Sequence, residues 1–182
     1  MFFNQLRMLL AVLATGALVH TVLAVDLHQY TGTKGKGNQA VCKDIDKDRC
    51  CCPRADFGST QCFGCPKFGM SISYHKEGDK SCGKWFGAVG QTTEPREMSS
   101  PPDKKFSGHA WCDDCANEGY HPRSLDGCVE PKFLEIDGTW FELKDGISDK
   151  EKDELFGKWS KEVPAKDIPE SLLKYKLDKS PV

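Results

Sequence analysis

Four cysteines stand in two Cys-x-x-Cys pairs, Cys62-Phe63-Gly64-Cys65 and Cys112-Asp113-Asp114-Cys115. Two such pairs, with His75, His109 and His121 nearby in sequence, could supply the thiolate and imidazole ligands of a tetrahedral zinc site. The long gap between the pairs weighs against one compact zinc module. Asp44-Ile45-Asp46-Lys47-Asp48 opens like a calcium loop, but the glycine such a loop needs is Arg49 and its last ligand position is Ala55. It reads as a solvated acidic turn. No histidine after the first 24 residues sits in a nucleophile elbow or paired-histidine metal motif. The 27 acidic residues single out no carboxylate pair for acid–base work. No catalytic residue is assigned, no cofactor is expected, and an enzyme is disfavoured. Zinc on Cys62, Cys65, Cys112 and Cys115 is the alternative.

Trp111 before the second pair resembles the Trp-Cys-x-x-Cys site of thioredoxin-type oxidoreductases. The preceding Lys105–Ala110 lacks the expected apolar strand. Asp113 and Asp114 would raise a thiol pKa, where a nucleophile needs it lowered.

The cysteines are better explained as a scaffold. All ten lie between Cys42 and Cys128, an even number in a stretch rich in glycine, proline and aspartate. Five disulfides are expected from Cys42, Cys50, Cys51, Cys52, Cys62, Cys65, Cys82, Cys112, Cys115 and Cys128. Each contributes about 2–4 kcal/mol by restricting the unfolded chain. Bridge geometry disfavours bonds between neighbours, so the contiguous Cys50, Cys51 and Cys52 should reach three different partners. Each Cys-x-x-Cys reads as halves of two different bridges. Seven cysteines precede the Gly90–Gly108 stretch and three follow it, so at least one bridge must cross it.

Residues 1–24 have the pattern of a secretory signal peptide. Arg7 is the only charge, an apolar run follows from Met8 to Val19, and cleavage is expected between Ala24 and Val25. The expected location is extracellular. The formal net charge of −2 comes from interspersed acids and bases, so no field for nucleic acid or anionic lipid is predicted. The asparagines carry no glycosylation sequon.

The predicted fold is small, disulfide-rich α+β. A flexible leading segment, 25–41, precedes a loop-rich, cysteine-stapled body with short strands, 42–128. A tail, 129–182, follows and packs on the body as one domain. In the body, Met70–Tyr74 alternates as a half-buried strand and Lys84–Val89 is a second candidate. Gly90–Gly108, with three prolines, reads as a surface loop. In the tail, Asp137-Gly138 suits a type I′ turn joining Phe133–Ile136 to Thr139–Leu143, with Leu134, Ile136, Phe141 and Leu143 on the core face. Ser148 and Glu151 form a capping box for a helix over 149–161, and Pro169 starts a second short helix. Trp140, on the acidic face of the hairpin, is the candidate surface contact, whereas Trp85, Trp111 and Trp159 read as packed.

A leader, no sequon, a short cysteine-rich body and no catalytic signature together resemble the small secreted cysteine-rich proteins of filamentous fungi. The resemblance is one of layout and covers the whole chain. It implies an effector or virulence factor acting on a host through its surface, with a host or extracellular protein, or a carbohydrate, as partner. The alternatives are a zinc-binding module active after passage into a host cell, and a small secreted toxin or hydrolase.

Overall fold

The computed structural model describes residues 25–90, 96–113, 125 and 127–182. The leader 1–24, Cys115 and His121 lie outside the described residues.

Two sheets form most of the structure. Sheet A has the order β11-β10-β2-β1-β4-β7, and sheet B the order β6-β5-β8-β3-β9. The strands of sheet A are β1 (Val25–Tyr30), β2 (Gln39–Ile45), β4 (Ser59–Phe63), β7 (Arg96–Ser99), β10 (Phe133–Ile136) and β11 (Thr139–Glu142). Those of sheet B are β3 (Cys50–Cys51), β5 (Met70–Glu77), β6 (Lys80–Gly90), β8 (Gly108–Cys112) and β9 (Cys128–Val129). The described residues hold a single α-helix, α1 (Asp149–Ser160), and two 3₁₀ segments, Ala165–Asp167 and Glu170–Tyr175. The α+β expectation is therefore corrected to a mostly β fold: strands take 43% of the described residues and helical segments 15%. The second expected helix is only a 3₁₀ segment.

The leading segment is corrected too. Val25–Tyr30 is a strand deep in sheet A, paired antiparallel with β2 on one side and β4 on the other. Leu27 lies between Cys42 and Cys62, fully buried. The expected loop also contains structure, because β7 pairs with β4 from Ser59↔Ser99 to Cys62↔Arg96.

Polar contacts join the sheets. Thr60 Oγ1 lies 3.1 Å from Ser73 Oγ, Gln29 Nε2 donates to the Cys51 carbonyl at 2.9 Å, and Trp111 Nε1 donates to the Ile45 carbonyl at 2.7 Å. These buried groups are tolerated because they are hydrogen-bonded. They also hide strand periodicity from a hydropathy reading.

The hairpin forms as its turn chemistry dictates. Asp137 and Gly138 have φ of +49° and +76°, and Leu134, Ile136 and Phe141 are fully buried. They pack with Leu155, Phe156 and Trp159 of α1 and with Leu172 and Tyr175 beyond it. β10 pairs with β2, so the hairpin extends the same sheet that holds β1. Asn38 fastens hairpin to helix: its Nδ2 donates to the Trp159 carbonyl, and its Oδ1 accepts from the Asp137 amide. The capping box is complete, with Ser148 accepting from the Glu151 amide and Glu151 accepting from the Ser148 amide. Replacing Ser148 with alanine is expected to cost about 1 kcal/mol in urea unfolding.

Three disulfides radiate from β3 and the residue after it. Cys51 joins Cys42, Cys50 joins Cys82, and Cys52 joins Cys128. The triplet thus reaches three partners, and Cys52–Cys128 crosses the cysteine-free stretch. One expectation fails: Cys62 and Cys65 bond to each other. Cys112 is disulfide-bonded as well.

Candidate functional site: a lysine-walled cleft around His75

A cleft of about 340 Å³ is lined by Asp56, His75, Lys76, Lys84, Lys104 and Lys105. Three chain segments build it. The β5–β6 ladder sets His75 opposite Lys84 and places Lys76 next to the pair. An isolated bridge between Phe57 and Phe106, with both amide–carbonyl bonds at 2.9 Å, brings their neighbours Asp56 and Lys105 to the same place. Lys104 sits in the turn before that bridge, its amide donating to the Pro101 carbonyl.

His75 is the fixed point. Its Nδ1 donates to the Lys105 carbonyl at 2.7 Å, which assigns the proton to Nδ1. The ring stands edge-on to Phe86, with centroids 4.8 Å apart, and tilted against Phe106 at 5.8 Å. Its Nε2 has no protein hydrogen-bond partner among the described residues. The lysines are less committed. Lys105 Nζ donates to the Thr31 carbonyl, while Lys76, Lys84 and Lys104 make no ion pair among the described residues. Four ammonium groups facing one carboxylate repel each other, and a concave wall of one sign concentrates positive potential. An anionic group relieves that repulsion on entering.

A second cleft shows the contrast. It is about 240 Å³ and is lined by Lys43, Asp44, Ile45, Asp46, Arg49, Val129 and Lys132. Both of its lysines are paired: Lys132 lies 3.7 Å from Asp44, and Lys43 lies 3.6 Å from Asp26. The calcium-like acidic turn ends here, among cations.

The residues singled out from sequence fall elsewhere. Cys62 and Cys65 share a disulfide and Cys112 is bonded, so these three offer no thiolate to zinc in this oxidised state. Trp111 is an anchor in the core, bonded to the Ile45 carbonyl. The segment before it, read as lacking a strand, runs into β8, whose residues Gly108–Cys112 include Trp111 and are all buried. Trp140 is half-buried, and its carbonyl accepts from the Leu177 amide. The exposed tryptophan is Trp85, at 46%, which corrects its reading as packed.

One constellation has catalytic residue types without access. Ser71 Oγ lies 2.8 Å from His109 Nε2, but both residues are fully buried between the sheets. Burial, with a smaller push from the charge of His28, pulls His109 down to about 3. Burial likewise pulls His28 to about 4, partly opposed by Asp26 and aided by Lys43. Both are neutral structural groups at neutral pH.

No family model matches this chain, and no curated protein or solved structure matches it either.

Proposed function

We propose that this chain is a secreted, disulfide-stapled interaction protein that binds an acidic segment of an extracellular partner protein in the cleft around His75. The observation that carries the reading is the uncompensated charge of Lys76, Lys84 and Lys104 beside a histidine held by a backbone carbonyl. Among the described residues the cleft lining includes no Trp, Tyr or Phe as a platform for a sugar ring, which favours carboxylate side chains over a glycan. Full pairing of the described cysteines and the leader-like N-terminus support an oxidising, extracellular setting. No helix among the described residues is long and apolar enough to cross a membrane. The effector role follows from the layout resemblance.

A fluorescent hexaglutamate peptide is the direct probe, with polygalacturonate as the glycan comparator. Binding of the peptide should weaken about tenfold or more in Lys76→Glu/Lys84→Glu, and steeply as salt rises. Binding that ignores both changes, or a preference for polygalacturonate, contradicts the reading. A separate prediction concerns processing. The secreted protein should begin at Val25 and gain ten hydrogens on reduction, as measured by intact mass. A smaller gain would mean that some of the ten cysteines are free.

A further inference from the structure

The Cys52–Cys128 and Cys50–Cys82 disulfides touch. Cys50 and Cys52 are two residues apart, so an extended backbone turns both side chains to one side, and their sulfurs lie 2.9 Å apart. Cys82 Sγ completes a group of three sulfur atoms within 4.8 Å of one another, all from buried residues. Gly108 makes room for them, since a Cβ there would collide with Cys82 Sγ. The fourth cysteine differs. Cys128 is exposed, at the start of β9, an edge strand of sheet B. Two bridges therefore meet inside the protein, and only one of their four ends faces solvent.

We infer that Cys128 is a thiol–disulfide exchange site from which an external small thiol opens the buried Cys50–Cys82 bridge through Cys52. A thiolate attacks Cys128 Sγ, forming a mixed disulfide as the Cys52–Cys128 bond breaks and its electron pair leaves on Cys52. Cys52 Sγ then attacks Cys50 Sγ. The Cys50–Cys52 bond forms, the Cys50–Cys82 bond breaks, and Cys82 leaves as a thiolate that takes a proton from solvent. A second small thiol attacks the mixed disulfide and releases Cys128. Two small thiols are thereby oxidised to one disulfide, and their two electrons and two protons reside on Cys82 and Cys128. Cys50 and Cys52 are suitable partners, because residues two apart in an extended chain have Cα atoms roughly 6.6 Å apart, inside the range a disulfide spans. The result detaches β6 from β3 while β3 stays tied to β2 through Cys42–Cys51.

The test uses the full secreted protein and graded reduced glutathione, with acid quenching, maleimide labelling and peptide mapping. The species that has lost one bridge at this hub should carry label on Cys82 and Cys128, with Cys50 linked to Cys52. Label on Cys52 and Cys128 with Cys50–Cys82 intact overturns the inference. So does resistance of Cys52–Cys128 to thiol until the chain unfolds. A second arm needs no reductant. In Cys128→Ser, which leaves Cys52 without its partner, the label should move to Cys82. Label remaining on Cys52, or appearing on Cys50 with a Cys52–Cys82 bridge, contradicts the assigned attack. If that variant does not fold, the glutathione arm decides alone.

Discussion

Lowering the pH from 7 to 4 is expected to remove on the order of 5 kcal/mol of folding stability, most of it through His28 and His109. Burial dominates both shifts, lowering the folded pKa of His28 to about 4 and of His109 to about 3, against 6.5 unfolded. A folded-state pKa below the unfolded value means that the unfolded chain binds protons first as pH falls. The stabilisation is therefore complete above about pH 6.5 and is lost progressively down to the folded values. Each unit of difference corresponds to about 1.4 kcal/mol. Carboxylates with cationic partners titrate lower, since Lys174 holds Glu151 at about 2 and Arg54 lowers Asp149, while burial raises Glu135, which offsets part of the loss. Urea unfolding at pH 7, 5.5 and 4 with the disulfides intact measures the slope. His109→Gln, which retains a side-chain amide near Ser71, should remove about half of it. A stability that stays flat between pH 6.5 and 4 would mean that neither histidine is buried neutral.

Trp159→Ala should cost about 3–5 kcal/mol, the range for removing a large buried aromatic and leaving a cavity. Trp159 is fully buried where α1 meets the hairpin, edge-on to Phe156 with centroids 6.1 Å apart. Its indole Nε1 has no hydrogen-bond partner among the described residues, so the cost is one of packing. The bond from Asn38 goes to the Trp159 carbonyl and survives the substitution. Trp159→Phe should therefore cost much less, about 1–2 kcal/mol. Thermal unfolding reads the difference as roughly 10 °C or more for alanine and a few degrees for phenylalanine. Equal losses in the two variants would point to a hydrogen bond, not to volume.

The tail was the legible part of the sequence, because it folds on local signals. Asp137-Gly138 set the hairpin and its register, and Ser148 with Glu151 set the start of α1. The contiguous Cys50, Cys51 and Cys52 announced three partners through covalent geometry alone. The body was less legible because its interior is partly polar. Gln29, Thr60, Ser71, Ser73 and His109 are all buried, and they break the apolar alternation by which a strand is recognised. Val25–Tyr30 gave no local hint of being central, since its neighbours β2 and β4 are recruited from further along the chain. The α+β expectation gave the clear C-terminal helix too much weight against strands that cross-links hold in place. Cys62–Cys65 shows that spacing alone does not reveal whether such a pair bonds internally. The cleft was hidden for a different reason. Asp56, His75–Lys76, Lys84 and Lys104–Lys105 come from separate stretches, and each lysine alone looks like ordinary solvated surface. Only the His75↔Lys84 pairing and the Phe57↔Phe106 bridge bring them together.

The localisation of binding tests this account most directly. Amide and imidazole resonances of the isotope-labelled secreted protein would be followed by NMR while hexaglutamate is added. The account predicts the largest shifts at His75, Lys76, Lys84, Lys104 and Lys105, with little change around the mixed-charge cleft at Asp44 and Lys132. Shifts centred on Trp85 or Trp140, with the His75 ring signals unmoved, would contradict it.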